Sequence, residues 1–120
     1  MRTDVLQRVL EELKSSSADV EASALISSDG LMIASALQSG VDEDRVGAMS
    51  AALLSLGDRA ARELSRGTLE TVMRRGEKGY VLMVSAGSEA VLTVLAKLNA
   101  KLGLLLLDVK RASEALSKLV

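Results

Sequence analysis

The chain has 120 residues, enough for one domain that buries roughly two-thirds of the surface its unfolded form exposes. It contains no cysteine and no histidine, which removes disulfides, thiolate nucleophiles, imidazole bases and the usual zinc sites together. Fifteen basic residues against sixteen acidic ones, with Tyr80 as the single aromatic, supply neither the positive footprint nor the stacking platform that nucleic-acid binding requires. The core must therefore be built from Leu, Val, Ala, Ile and Met. A hydrophobic content of 48% in so short a chain leaves more apolar surface than one copy hides, which argues for self-association. No apolar run approaches the length of a membrane span, and the N-terminus alternates charged with apolar residues, so a cytoplasmic protein without direct membrane insertion is expected.

Thr3 to Ser15 reads as a short helix, capped by Thr3 or Asp4, with Val5, Leu6, Val9, Leu10 and Leu13 as its apolar stripe. Val20 to Ser27 alternates loosely, as a strand does. Ser28-Asp29-Gly30 supplies a tight turn, and Leu31 to Leu37 returns as the hairpin partner. Gln38-Ser39-Gly40 then leads into the stretch Val41 to Gly67, the one long, strongly helical segment between strand-like runs. Its Asp42, Glu43 and Asp44 suit the positive end of a helix dipole, and Gly67 is the expected terminating glycine.

Steps of about 100° along this helix place Val46, Met49, Leu53, Leu56, Ala60 and Leu64 on one face, which is expected to rest on a sheet. A second stripe of mostly small residues, Gly47, Ser50, Leu54, Gly57 and Ala61, runs beside it. Together they span roughly 160°, when covering one layer needs only about 100°. Gly47 and Gly57 each cost about 1 kcal/mol relative to alanine inside a helix, and close approach of another backbone is the reason expected for them. The economical source of that backbone is the same helix of a second copy.

From Thr68 the period becomes two, over Thr68 to Arg75, Tyr80 to Ala86 and Ala90 to Ala96. The short connections Gly76-Glu77-Lys78-Gly79 and Gly87-Ser88-Glu89 make these an antiparallel meander. The last two runs are apolar on both faces and read as central strands; the first alternates and belongs at or near an edge, where another chain can pair with it. Lys97 to Gly103 reads as a loop, and Leu104 to Leu119 as the last helix, with Leu105, Val109, Ala112 and Leu116 on its inner flank. The order α-β-β-α-β-β-β-α gives a single α+β domain in three layers, with the long helix on one face of a five-stranded antiparallel sheet and the two terminal helices on the other.

Catalytic patterns are missing. There is no GxxxxGK[ST] phosphate loop, Asp42-Glu43-Asp44 lacks the spaced ligands and turn glycine of a calcium loop, and Ser28-Asp29 has no base between nucleophile and acid. Neither catalytic residues, a cofactor nor a metal site is expected, and the chain is not expected to be an enzyme.

Three places carry a resemblance to the Roadblock/LC7 family. The hairpin from Ala24 to Ser35 with its Asp29-Gly30 turn is similar to the family's strand-turn-strand signature; the long Ala-rich helix follows; and Lys101-Leu102-Gly103-Leu104-Leu105-Leu106-Leu107 with Arg111-Ala112 resembles its closing loop and helix. The likeness implies a profilin-like or longin-like fold and a homodimer in which central helices pair and third strands join the sheets edge to edge. Carried onto this chain, it implies Gly47, Ser50, Leu54, Gly57 and Ala61 at the helix seam and Thr68, Glu70, Val72 and Arg74 on the shared edge. It further implies a non-catalytic platform that binds and regulates or scaffolds a small Ras-like GTPase, as prokaryotic polarity and gliding regulators do, or an adaptor subunit of a larger complex. Arg59, Arg62 and Glu63, on the polar side of the helix, are the candidate partner contacts; a solvated face explains them equally. The alternative from another class is a small-molecule sensor, which an unexplained cavity would favour.

Overall fold

The computed structural model describes residues 3–67 and 69–120. Eight elements follow one another: α1 (Thr3–Ser16), β1 (Val20–Ser27), β2 (Met32–Ala36), α2 (Glu43–Glu63), β3 (Thr71–Gly76), β4 (Gly79–Ser85), β5 (Ala90–Lys97) and α3 (Leu102–Ser117). This is the expected order. The five strands form one antiparallel sheet in the order β2-β1-β5-β4-β3, so the N-terminal hairpin and the C-terminal meander meet where β1 pairs with β5.

The sheet's two faces are filled very differently. On one, α1 and α3 drive Leu6, Leu10, Leu105, Val109 and Leu116, all fully buried, against Leu25, Leu82, Leu92 and Val94 of the sheet. Leu25 and Leu92 are register partners, as are Leu82 and Val94, so their side chains share that face. On the other face lies α2, whose buried residues are only Gly47 and Ser50.

The sheet's two outer edges also differ. At the β2 edge the Gln7 side chain of α1 accepts the Ser35 N–H through Oε1 (3.2 Å) and donates through Nε2 to the Ser35 carbonyl. One side-chain amide thereby occupies both outward backbone groups of Ser35, as a neighbouring strand would. Among the described residues β3 is bonded to β4 alone, so the expectation of an edge strand there holds.

Three boundaries differ from the expected ones, each at an identifiable hydrogen bond. Strand β3 starts at Thr71 rather than Thr68, because Leu69 is held towards α2: its N–H donates to Asp58 (3.4 Å) and its side chain lies over Gly57. Thr68 itself lies outside the described residues. Helix α3 starts at Leu102, inside the expected loop, because the Lys101 N–H is fixed by the Asp19 carboxylate at 2.9 Å and the chain turns helical at once. Helix α2 opens as expected, with Asp42 Oδ1 accepting the Arg45 N–H at 3.2 Å, but it closes before Gly67. Ser65 takes the left-handed conformation (φ 58°), its N–H bonded to the Arg62 carbonyl and the Arg66 N–H to the Ala61 carbonyl, a Schellman closure that usually recruits glycine.

A side chain in that conformation is strained by roughly 1 kcal/mol. Ser65→Gly is therefore expected to raise the unfolding free energy by about 0.5–1 kcal/mol, read as a higher midpoint in urea with an unchanged slope.

Candidate functional site

The apolar arc of α2 is as wide as its sequence implies, but its two halves are exchanged. The small stripe, not the bulky one, rests on the sheet. Gly47 is buried so close to the β1–β2 turn that a Cβ built on it would stand 2.3 Å from the Gly30 carbonyl oxygen. Ser50, buried, accepts a hydrogen bond from the Thr93 hydroxyl of β5 at 2.9 Å. A Cβ on Gly57 would meet Val72 Cγ2 of β3 at 2.9 Å, and the half-buried Leu54 and Ala61 complete this face. Gly47 thus meets the backbone of the chain's own hairpin, and Gly57 meets the Val72 and Leu69 side chains. Of the stripe expected at a seam with a second copy, Gly47 and Ser50 are buried within the chain and Leu54, Gly57 and Ala61 are half-buried.

The bulky stripe is left outside. Met49, Leu53 and Leu56 are 52%, 41% and 65% exposed, and Leu64 is 68% exposed. Large side chains could not occupy the inner position, because α2 would have to rise off the Gly30 turn and break the Ser50–Thr93 bond. Beside the stripe α2 leaves part of the sheet uncovered, a groove of about 230 Å³ in which Val46, Met49 and Leu53 of the helix face Val81, Met83 and Leu95 of the sheet. Leu37 and Val41 of the β2–α2 connection form the groove's remaining apolar wall.

Next to this surface stands the open edge. On β3, Thr71, Met73, Arg74 and Arg75 are exposed, while Val72 is half-buried beneath Gly57 and Glu70 lies just before the strand. Of the residues assigned to a shared edge, Val72 therefore points at α2, and the free groups of β3 are its backbone and the exposed side chains. Sequence reasoning found the edge but missed Met49, Leu53, Leu56 and Leu64 as a free face. The available signal was a hydroxyl, Ser50, in line with two glycines: such a stripe suits contact with a strand better than contact with water.

Arg59, Arg62 and Glu63 occupy the polar side of α2. Arg59 pairs with Glu63 at 3.2 Å and Arg62 with Asp58 at 3.2 Å, all four on one helix with side chains largely in solvent except Asp58. Such i,i+4 pairs add little stability and leave the charges available. Arg62 and Asp58 also line a second, larger cleft of about 920 Å³, where α2, the start of β3, the Gly87-Ser88 turn and Lys110 and Glu114 of α3 converge. The acidic start of α2 is engaged locally, Asp42 as the cap and Glu43 as acceptor of the Ser35 hydroxyl at 2.6 Å. Ser28 and Asp29 sit exposed in their turn. Among the described residues no helix is long and apolar enough to cross a membrane.

These features meet known proteins as follows. The family model described as Roadblock/LC7 domain matches residues 6–96. An uncharacterised protein of Methanocaldococcus jannaschii is 43% identical over 110 residues, covering 92% of this chain and 95% of the relative. Among solved structures, Myxococcus xanthus MglB superposes with a TM-score of 0.89 at 24% identity, covering 98% of this chain and 89% of that one. Profilin II of Acanthamoeba castellanii gives 0.70 at 19% identity, covering 94% and 97%. The expected profilin-like fold is thereby borne out.

The inward assignment of the small stripe has a direct consequence. Gly47→Ala forces a methyl onto the Gly30 carbonyl, an overpacking of about 1–3 kcal/mol against about 1 kcal/mol regained in helix propensity. A net loss of up to about 2 kcal/mol in urea unfolding is expected, with the solution mass of the native state unchanged.

Proposed function

The chain belongs to the Roadblock/LC7 domain family, a family of regulatory and adaptor domains, and from that premise we propose that it is a non-catalytic homodimeric platform which binds and regulates or scaffolds a small Ras-like GTPase. The observation that carries the reading is the coincidence of an exposed apolar helix face, an uncovered apolar groove and an open strand edge on one side of the molecule. Monomers seldom leave such a surface in water. A second copy is the occupant: Met49, Leu53 and Leu56 of each protomer pack on the other's α2, Leu64 covers the seam's end, and the two β3 strands pair edge to edge. The interface proposed here uses the bulky stripe in place of the glycine stripe.

The platform would act on its partner by position. With no catalytic constellation of its own, it changes hydrolysis or nucleotide exchange by ordering the partner's switch loops, and Arg59, Arg62 and Glu63 offer charged contacts beside the seam. A second reading has its own observation: the 920 Å³ cleft, with Asp58, Arg62, Lys110 and Glu114 on its walls, is large enough for a small polar ligand. A sensor would use that cleft, and a platform would not need it.

Light scattering at micromolar concentration is expected to give twice the 12.6 kDa chain mass. Leu53→Glu with Leu56→Glu should give a soluble, folded monomer, since both residues are exposed in the single chain. A monomeric mass for the parent protein overturns the dimer. For the partner, the tagged protein is used to capture proteins from native cell extract with GTPγS or GDP added. Recovery of a Ras-like GTPase in one nucleotide state is expected of a regulator, and equal recovery in both states of a scaffold. Recovery of none transfers the weight to the sensor.

A further inference from the structure

Helix α3 has two apolar faces, and the α1–α3 layer uses only one. Four consecutive leucines, Leu104 to Leu107, cannot all point inward at about 100° per residue. Leu105 is fully buried, whereas Leu104 and Leu107 are 59% and 43% exposed on the outer side. Continuing round the helix at the same angle, this outer side collects Arg111, Ala115 and Lys118, all exposed, with the exposed Lys101 at its head. The acidic residues nearby are Glu114, exposed at its margin, and Asp108, half-buried. None of Lys101, Arg111 and Lys118 takes part in an ion pair among the described residues, where the pairs within 4 Å lie on α2.

We propose that the outer face of α3 is a peripheral membrane-contact surface that lies on anionic lipid, with Leu104 and Leu107 entering the acyl boundary and Lys101, Arg111 and Lys118 at the headgroups. Three observations select lipid over a protein partner. The leucines stand on an outward helix ridge and line neither of the two clefts, so they protrude as anchors themselves instead of walling a recess. A fluid acyl boundary accepts such protruding side chains without a pocket. The cations flank the two leucines along one helical side, Lys101 before them and Arg111 and Lys118 after them, which lets their alkyl stems lie along the interface with the charges at the phosphates. The chain as a whole carries a formal charge of −1, so a positive stripe of this kind is local and gives the molecule an orientation as well as an attraction. Leu104 and Leu107 lie outside both the groove beside the bulky stripe of α2 and the larger cleft, so occupation of either leaves these two leucines open. The contact is adsorption, not insertion.

The test is co-sedimentation of the full chain with vesicles of phosphatidylcholine alone and of phosphatidylcholine with one-third phosphatidylglycerol. Binding to the anionic vesicles, weakened by added salt and absent from the neutral ones, is expected. Arg111→Gln with Lys118→Gln should lower the partition by about thirtyfold, following roughly 1 kcal/mol per cation at an anionic surface. Leu104→Ser with Leu107→Ser should abolish it with little change in thermal midpoint. No excess binding to the anionic vesicles overturns the proposal, and so does binding that survives both double variants. Retention on poly-glutamate resin that is lost with the Arg111 and Lys118 change, with vesicles unbound, assigns the face to an acidic protein and also overturns it.

Discussion

The height of α2 above the sheet is set by one contact, the Gly47 backbone against the carbonyl of Gly30. Because no side chain separates them, the helix sits low enough for Ser50 to reach Thr93 and for Val72 to fill the space under Gly57. At that separation Met49, Leu53 and Leu56 have no room beneath the helix and must lie along its outer flank. The exposed stripe, the groove beside it and the exchange of the two faces all follow from the same close approach.

The opposite face of the sheet shows what the chain does when large side chains point inward. There Leu6, Leu10, Leu105 and Leu116 build a deep layer against Leu25, Leu82 and Leu92, and that layer supplies most of the fold's hydrophobic stabilisation, since each fully buried leucine contributes about 1.5–3 kcal/mol. On the other face α2 itself contributes two glycines, a serine and a few half-buried residues over Ile26, Met83 and Val91 of the sheet. Stability and recognition are thus separated onto the two faces: the leucine layer holds the domain together, and the thin face keeps its large apolar groups for a partner. Gln7 extends the same division to the edges, occupying the backbone of Ser35 at β2 while β3 stays free. Growth of the sheet is therefore directed to one side.

Helix α3 belongs to the stabilising layer by its inner side and to the surface by its outer one. Its Leu104-Leu105-Leu106-Leu107 run cannot be resolved by periodicity alone into core and exposed members, and only the direction of Leu105 towards the sheet separates them. The molecule then has two distinct outward apolar surfaces, on opposite faces of one sheet, each bordered by charged groups.

The sequence by itself determined the number and order of the elements, the Asp29-Gly30 turn, the edge position of β3, the inward residues of α1 and α3, and the width of the apolar arc on α2. These depend on local periodicity, turn chemistry and caps, which are written into neighbouring residues. Hydrophobic periodicity locates an apolar arc but does not say which half of it meets the sheet, because burial favours large side chains and close approach favours small ones. That choice was decided by tertiary structure, where the Gly30 carbonyl, the Thr93 hydroxyl and Val72, 15 to 43 residues away from their contacts on α2, come together to fit the small stripe. The late start of β3 was settled in the same way. Leu69 and Asp58 hold the start of β3 towards α2, while the α2 end at Ser65 is closed by the Ser65–Arg62 and Arg66–Ala61 bonds.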